Sequence, residues 1–396
     1  MRAALFLSAA LLTTPAFGQV NDQLQLRDTT SITDIEVGSA YDVGATAIAS
    51  GNVVTAVADD ADATFDNTQH MDGDAHAHAE ATVWNAGGTV AVTSAAVGNG
   101  GTADVRDSNV EINSTQLAHG DANASVNFTG GNAMDAATSA SASGNVAAVS
   151  AQNSEVRFIS NQESTGSISA TIEADHGIVG RQVVSGAVAS ANNLTVGSET
   201  ATILTDTRQT ATGDSVRARV DLYAGYAADA SGNATANANS VTIDNQWGYV
   251  NSRIAQSSGA NVSADSYVTL GGDFTGFASS GAYGVGNQAS ASNVGSDTVL
   301  DVAQANSGDV SANAATVGEG GQMALASSAA YGNSISANLC AYCDNNVPSL
   351  TTNSAQVNDG AVTSRATVRS PYATTVGATS TAIGNAGTYQ VAGPGG

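Results

Sequence analysis

Lysine is absent from this sequence. All 11 basic residues are arginine, they face 35 acidic ones, and the formal net charge is −24. Phosphate neutralisation needs clustered cations, so nucleic-acid binding is excluded, and so is electrostatic docking on an anionic lipid surface. Aromatic residues make up only 5% of the chain, too few for the aromatic girdles of a membrane-spanning barrel. The 42% hydrophobic content is mostly alanine and valine, which rules out a bulky leucine- and phenylalanine-filled globular core. Only 4 prolines occur in 396 residues, whereas disordered acidic chains are rich in proline and glutamate. The one continuous apolar run, Ala3 to Leu12, is too short to span a bilayer. It follows Arg2 and precedes Ala16-Phe17-Gly18, the pattern of a signal peptide over residues 1–18. The mature chain, 19–396, is thereby expected to be exported.

What the sequence has in abundance is small residues and a repeat. Glutamine recurs at Gln23, Gln69, Gln116, Gln162, Gln209, Gln256, Gln304 and Gln356, with spacings from 46 to 52. Glycine follows most of them four residues later, as Gly73, Gly120, Gly166, Gly213, Gly308 and Gly360. A second anchor is Gly-Asn or a close variant: Gly51-Asn52, Gly98-Asn99, Gly144-Asn145, Ala191-Asn192, Gly232-Asn233, Gly286-Asn287, Gly332-Asn333 and Gly384-Asn385. On this reading two units, those of Gly232 and Gly332, carry an insertion of six residues before the next glutamine. Length alone would suggest about two or three domains, but a repeat through the whole mature chain predicts a single domain.

Segments such as Asp74-Ala75-His76-Ala77-His78-Ala79-Glu80-Ala81 alternate small apolar with polar residues. That is the signature of a half-buried strand. The anchors divide each unit into halves of about 22–25 residues. The expected fold is therefore all-β: a β-solenoid, β-helix-like rod, with coils of about 22–25 residues paired into units of about 46. Some 16 coils at about 4.8 Å each would make a rod on the order of 75 Å long. Alanine and valine would line its inside, and the glutamines would stack as amide ladders, a structural role.

Few constellations carry chemistry. His76 and His78 share one strand face with Asp74 and Glu80, and His70 and Asp72 lie close by in sequence. The His76/His78 pair is a weak candidate for a divalent metal, with a solvated strand face as the bland reading. His119 and His176 are isolated and expected to be exposed. Cys340 and Cys343, in an exported chain, are expected to form a local disulfide pinning an inserted loop. Asp59, Asp60 and Asp62 form a short acidic run that would hold Ca²⁺ only loosely. Arg217, Arg219, Arg365 and Arg369 are expected as outward strand residues balancing neighbouring acids. No nucleophile elbow, zinc-protease or phosphate-loop motif is present. Catalytic residues and cofactors are not expected.

With the repeats and anchors in view, the mature chain resembles the holdfast anchor proteins of the HfaD type from stalked alphaproteobacteria. The resemblance rests on the overall pattern, including Ala-Ser-Gly51-Asn52-Val, Ala-Ser-Gly144-Asn145-Val, Ala-Tyr331-Gly332-Asn333 and Ala-Ile383-Gly384-Asn385. It implies a cell-surface, outer-membrane-associated protein that tethers the holdfast polysaccharide to the cell pole. Its implied partners are a curlin-like anchor subunit and an outer-membrane secretion lipoprotein, with self-association through the open solenoid ends as a further expectation. A curlin-like functional-amyloid fibre subunit is the alternative, since the half-unit length and the periodic amides are similar to curlin repeats.

Overall fold

Alternating small residues leave the backbone extended, and parallel neighbours supply its hydrogen bonds. The computed structural model describes residues 18–340 and 348–393, which form strands throughout and no helix. The strands stack in parallel, each on its equivalent in the next unit: Gln23 pairs with Gln69, Gln69 with Gln116, and so on to Gln304 with Gln356. The architecture is the expected all-β solenoid.

The coil is larger than expected. Strand registers are offset by 46 to 52 residues, never by 22 to 25. One coil is thus the whole unit, the described chain makes eight, and the rod is about 40 Å long at the usual strand spacing. Each coil has three strand positions. In the second coil they are Ala63–Met71, Ala75–Ala86 and Thr89–Arg106. In the fourth, the first is Glu155–Ser164, and Ile168–Glu199 supplies both others through an irregularity between Val179 and Gln182. First strands, from Gly18–Gln25 to Leu350–Asn358, form one eight-stranded sheet, and the second and third strands form the other.

The half-unit has a different physical meaning. Along Thr89–Arg106 the buried positions are even-numbered up to Gly98, then Asn99 is buried too and the odd positions follow. The third strand therefore bends at Gly-Asn and presents its two halves to different partners. Its first half packs on second strands around one core, which includes Ala77, Ala81, Val90 and Val92. Its second half packs on first strands around another, which includes Val105, Val110 and Ile112. Each half-unit of 22–25 residues is one of two lobes, and the chain crosses the waist between them twice per coil.

Two amide ladders occupy the waist. Each glutamine donates one Nε2 hydrogen to the Oε1 of the preceding coil's glutamine, at 2.7–2.9 Å from Gln69 to Gln356. The other goes to a third-strand carbonyl across the waist, such as Gly100 O for Gln69 and Ser240 O for Gln209. The asparagines run the opposite way. Asn52 Nδ2 donates to Asn99 Oδ1 of the following coil, and Asn99, Asn145, Asn192, Asn239, Asn287 and Asn333 continue the series. Each also donates to a first-strand carbonyl, as Asn99 does to Leu117 O. Both hydrogens of these buried amides are satisfied, as burial requires.

The fifth anchor is therefore Ala238-Asn239 and not Gly232-Asn233. Gly232 lies seven residues earlier in the same strand, Ser215–Gln246, level with Ser185 and Ser280. Measured from Asn239, the fifth unit has no insertion; only the seventh does. The glycine four residues after each glutamine also has a cause. A Cβ at Gly120, Gly166 or Gly213 would collide with the carbonyl of the preceding coil's glycine, so the turn leaving the waist stacks at backbone contact. Ala260 holds that place in the sixth coil.

Candidate attachment surfaces

The three strand positions present different chemistry to solvent. Outward positions of the second strands carry carboxylates: Asp34 and Glu36 in the first coil, Glu80 in the second, Glu173 and Asp175 in the fourth, Asp221 in the fifth. The third strands contrast sharply. The segment 44–55 and its register equivalents 91–102, 137–148, 184–195, 231–242, 279–290, 325–336 and 377–388 contain no charged residue at all. Twelve residues in each of eight coils give a neutral face about 40 Å on a side, covered by serine, threonine, glycine, alanine and valine. Tyr283 and Tyr331 meet on it with ring centroids 5.8 Å apart, and burial raises the Tyr283 hydroxyl above its ordinary pKa. Sequence reasoning missed this face because its signal is an absence that only the register collects onto one side.

The predicted structural glutamines, Gln69, Gln116, Gln162, Gln209, Gln256, Gln304 and Gln356, all sit in the waist ladder. The acidic run also serves structure. Asp60 takes a left-handed conformation at φ 53° in the turn between third and first strands, and Asp62 Oδ1 accepts from the backbone of Asn109 at 2.9 Å. A staircase of aspartates caps the turn after the waist glycine, with Asp74 N donating to Asp28 Oδ1 and Asp121 N to Asp74 Oδ1. Arg219 does balance an acid, at 3.0 Å from Asp221. Arg365 and Arg369 are exposed strand residues of the last coil. Cys340 ends the strand Met323–Cys340 and is half-buried. Cys343 and residues 1–17 of the expected signal peptide lie outside the described residues.

The histidines regroup. His176 is buried, not exposed. It packs on Phe128 at 4.5 Å between centroids, its Nε2 has no partner, and burial lowers its pKa to about 4. His76 and His78 have separate partners: His76 Nε2 lies 3.4 Å from Asp74, and His78 Nδ1 lies 2.8 Å from Ser125 Oγ. The titratable cluster that converges instead is His70, Asp72 and His119. A partly open pocket of about 80 Å³ lies where Gly101 and Ala147 face Phe65, Ile112 and Phe158. It is too small for a sugar, since ligand pockets usually exceed about 300 Å³.

A match to the family described as holdfast attachment protein D, HfaD, covers residues 37–310. The chain belongs to this family. The matched span runs from the second strand of the first coil into the seventh, so the family pattern is the stack of coils itself. No curated protein and no solved structure matches the chain.

Proposed function

We propose that this protein works at the cell surface as a tether between the holdfast polysaccharide and the outer membrane at the cell pole, by binding and not by catalysis. The family match over 37–310 carries this reading. The surfaces support it. Amino sugars that have lost their acetyl groups are cationic, and Asp34, Glu80, Glu173 and Asp221 stand in one column of the second-strand face, with Asn127 between the two pairs, to meet them. Sugars that keep their acetyl groups are neutral, and they suit the uncharged third-strand face with its tyrosine pair, where carbohydrate rings stack without desolvating a charge.

The protein-facing partners in this reading are a curlin-like anchor subunit and an outer-membrane secretion lipoprotein. The first coil offers them apolar side chains pointing outward, among them Val20, Leu24, Ile32 and Ile48, where the second coil carries Asp66, His70, His78 and Ala95. The test is a strain lacking the gene, examined under flow. Polysaccharide should still be made, and the holdfast should be shed. Complementation with Glu173→Gln, Asp175→Asn and Asp221→Asn together should restore surface display but not attachment. A deletion strain that keeps its holdfast under flow ends the tether reading.

A further inference from the structure

We propose that His70, Asp72 and His119 form a binding site for a divalent transition-metal ion of the zinc class, clamped across the second and third coils. The three ligand atoms lie together. Asp72 Oδ1 lies 2.8 Å from His70 Nε2 and 3.2 Å from His119 Nδ1, and the two nitrogens are 3.0 Å apart. The rings meet edge to face, centroids 4.7 Å apart at 84°, so neither ring stacks over the other's nitrogen. No placement of protons on the two ring nitrogens satisfies all three contacts: two protons set donor against donor across 3.0 Å, and one leaves the other nitrogen's lone pair beside the Asp72 carboxylate. One cation satisfies all three lone pairs at once.

The geometry fits a small ion. Tetrahedral coordination at about 2.0–2.1 Å places ligand atoms about 3.3 Å apart. The observed triangle needs to open by only a few tenths of an ångström, well within reach of half-exposed side chains. Two nitrogen donors select a first-row transition metal over Ca²⁺ or Mg²⁺, which take oxygen ligands. Three protein ligands leave one position open to water or to a donor from a partner.

The backbone under the site is fixed by the stack. Asp72 N donates to Gln25 O and His119 N to Met71 O, each at 2.8 Å. Asp72 and His119 occupy equivalent turn positions in consecutive coils, and His70 is the penultimate residue of the adjoining strand. The first coil carries Leu24 and Leu26 at these two positions, and the third and fourth carry Leu117 and Thr165. The arrangement therefore forms at one level of the rod. Half exposure of all three side chains lets an ion enter from solvent, and the chain's net charge of −24 favours its arrival.

Titration of the tag-free, metal-stripped mature protein with Zn²⁺ by calorimetry, and with Co²⁺ by visible absorption, tests the site. One ion should bind per chain at micromolar concentration or below, with the absorption of tetrahedral Co²⁺ and a raised midpoint of thermal unfolding. His70→Ala and His119→Ala should each weaken binding at least about tenfold, Asp72→Asn should shift the Co²⁺ spectrum, and His76→Ala with His78→Ala should leave both unchanged. Circular dichroism shows whether each variant keeps its fold, and a variant that loses it is replaced by the corresponding asparagine variant. No saturable binding of either ion, or binding that survives His70→Ala with His119→Ala, overturns the proposal.

Discussion

The two lobes of each coil solve the same packing problem with different side chains. In the lobe between second strands and the first half of the third, about two thirds of the buried apolar residues described are alanine. In the lobe between first strands and the second half of the third, about one third are, and Ile203, Leu194, Ile243, Ile254 and Leu300 supply the bulk. The difference shows how a repeat tolerates drift. In the branched lobe, size is traded across the gap. Phe65, Ile112 and Phe158 on first strands face Gly101 and Ala147, while third strands with Leu194 and Val241 lead into first strands with Thr205 and Ser252 at the equivalents of the phenylalanines. The alanine lobe holds a column of a single size. Ala77, Ala124, Ala170 and Ala218 repeat in one column, all essentially without solvent exposure. Close approach of two sheets fixes one size there.

Truncation should thus hurt one lobe and enlargement the other. Leu194→Ala opens a cavity in the branched lobe and should lower unfolding free energy by about 3–4 kcal/mol in denaturant titration. The alanine lobe has its own acid weakness at His176. The unfolded chain protonates this imidazole below its ordinary 6.5, whereas the buried ring stays neutral until about pH 4. Its contribution is full above pH 6.5 and is lost as the pH falls toward 4, by about 3 kcal/mol. A His176→Phe variant should show a flatter stability profile across that window, and an unchanged slope would remove His176 as its source. Ala218→Val forces methyl groups into the thin lobe and should cost about 2 kcal/mol, where Ile203→Val in the other lobe costs about 1. Equal losses from these two changes would erase the distinction between the lobes. The smallest effect is a gain. Thr200 sits in the left-handed region at φ 54°, in the turn position where other coils have Asp107, Asn153 and Gly295. Thr200→Gly should stabilise the protein by about 1 kcal/mol, read as a higher thermal midpoint.

The fold class and the glutamine ladder were legible because a buried amide needs its partner in every coil, and eight in-phase glutamines leave little else to explain. Coil size was not legible. Two lobes of nearly equal length generate the same half-period as a coil of half the size, and only strand pairing tells a waist from a stack. Gly232-Asn233 misled for a related reason. The pair is the commonest form of the waist anchor, but in the fifth coil the bend falls on Ala238-Asn239, as it does on Ala191-Asn192 in the fourth. The histidine cluster escaped because His70 and His119 are 49 residues apart, a spacing meaningless until the coil is known to hold about 47. The proposed bond between Cys340 and Cys343 is checked by thiol titration of the purified chain, where two reactive thiols would contradict it.

The opposed ladders give the rod a direction. Stacked amides all pointing one way add their dipoles, as backbone amides do in a helix. Here the glutamine dipoles and the asparagine dipoles run in opposite senses and largely cancel, so lengthening the stack builds up little field at its ends. The termini still differ. The first coil ends the glutamine series with an N–H and the asparagine series with a carbonyl; the last coil ends them with a carbonyl and an N–H. The two ends are therefore plug and socket. A last coil meeting a first coil in register would continue both ladders. Rods joined in that register would share one polarity from end to end.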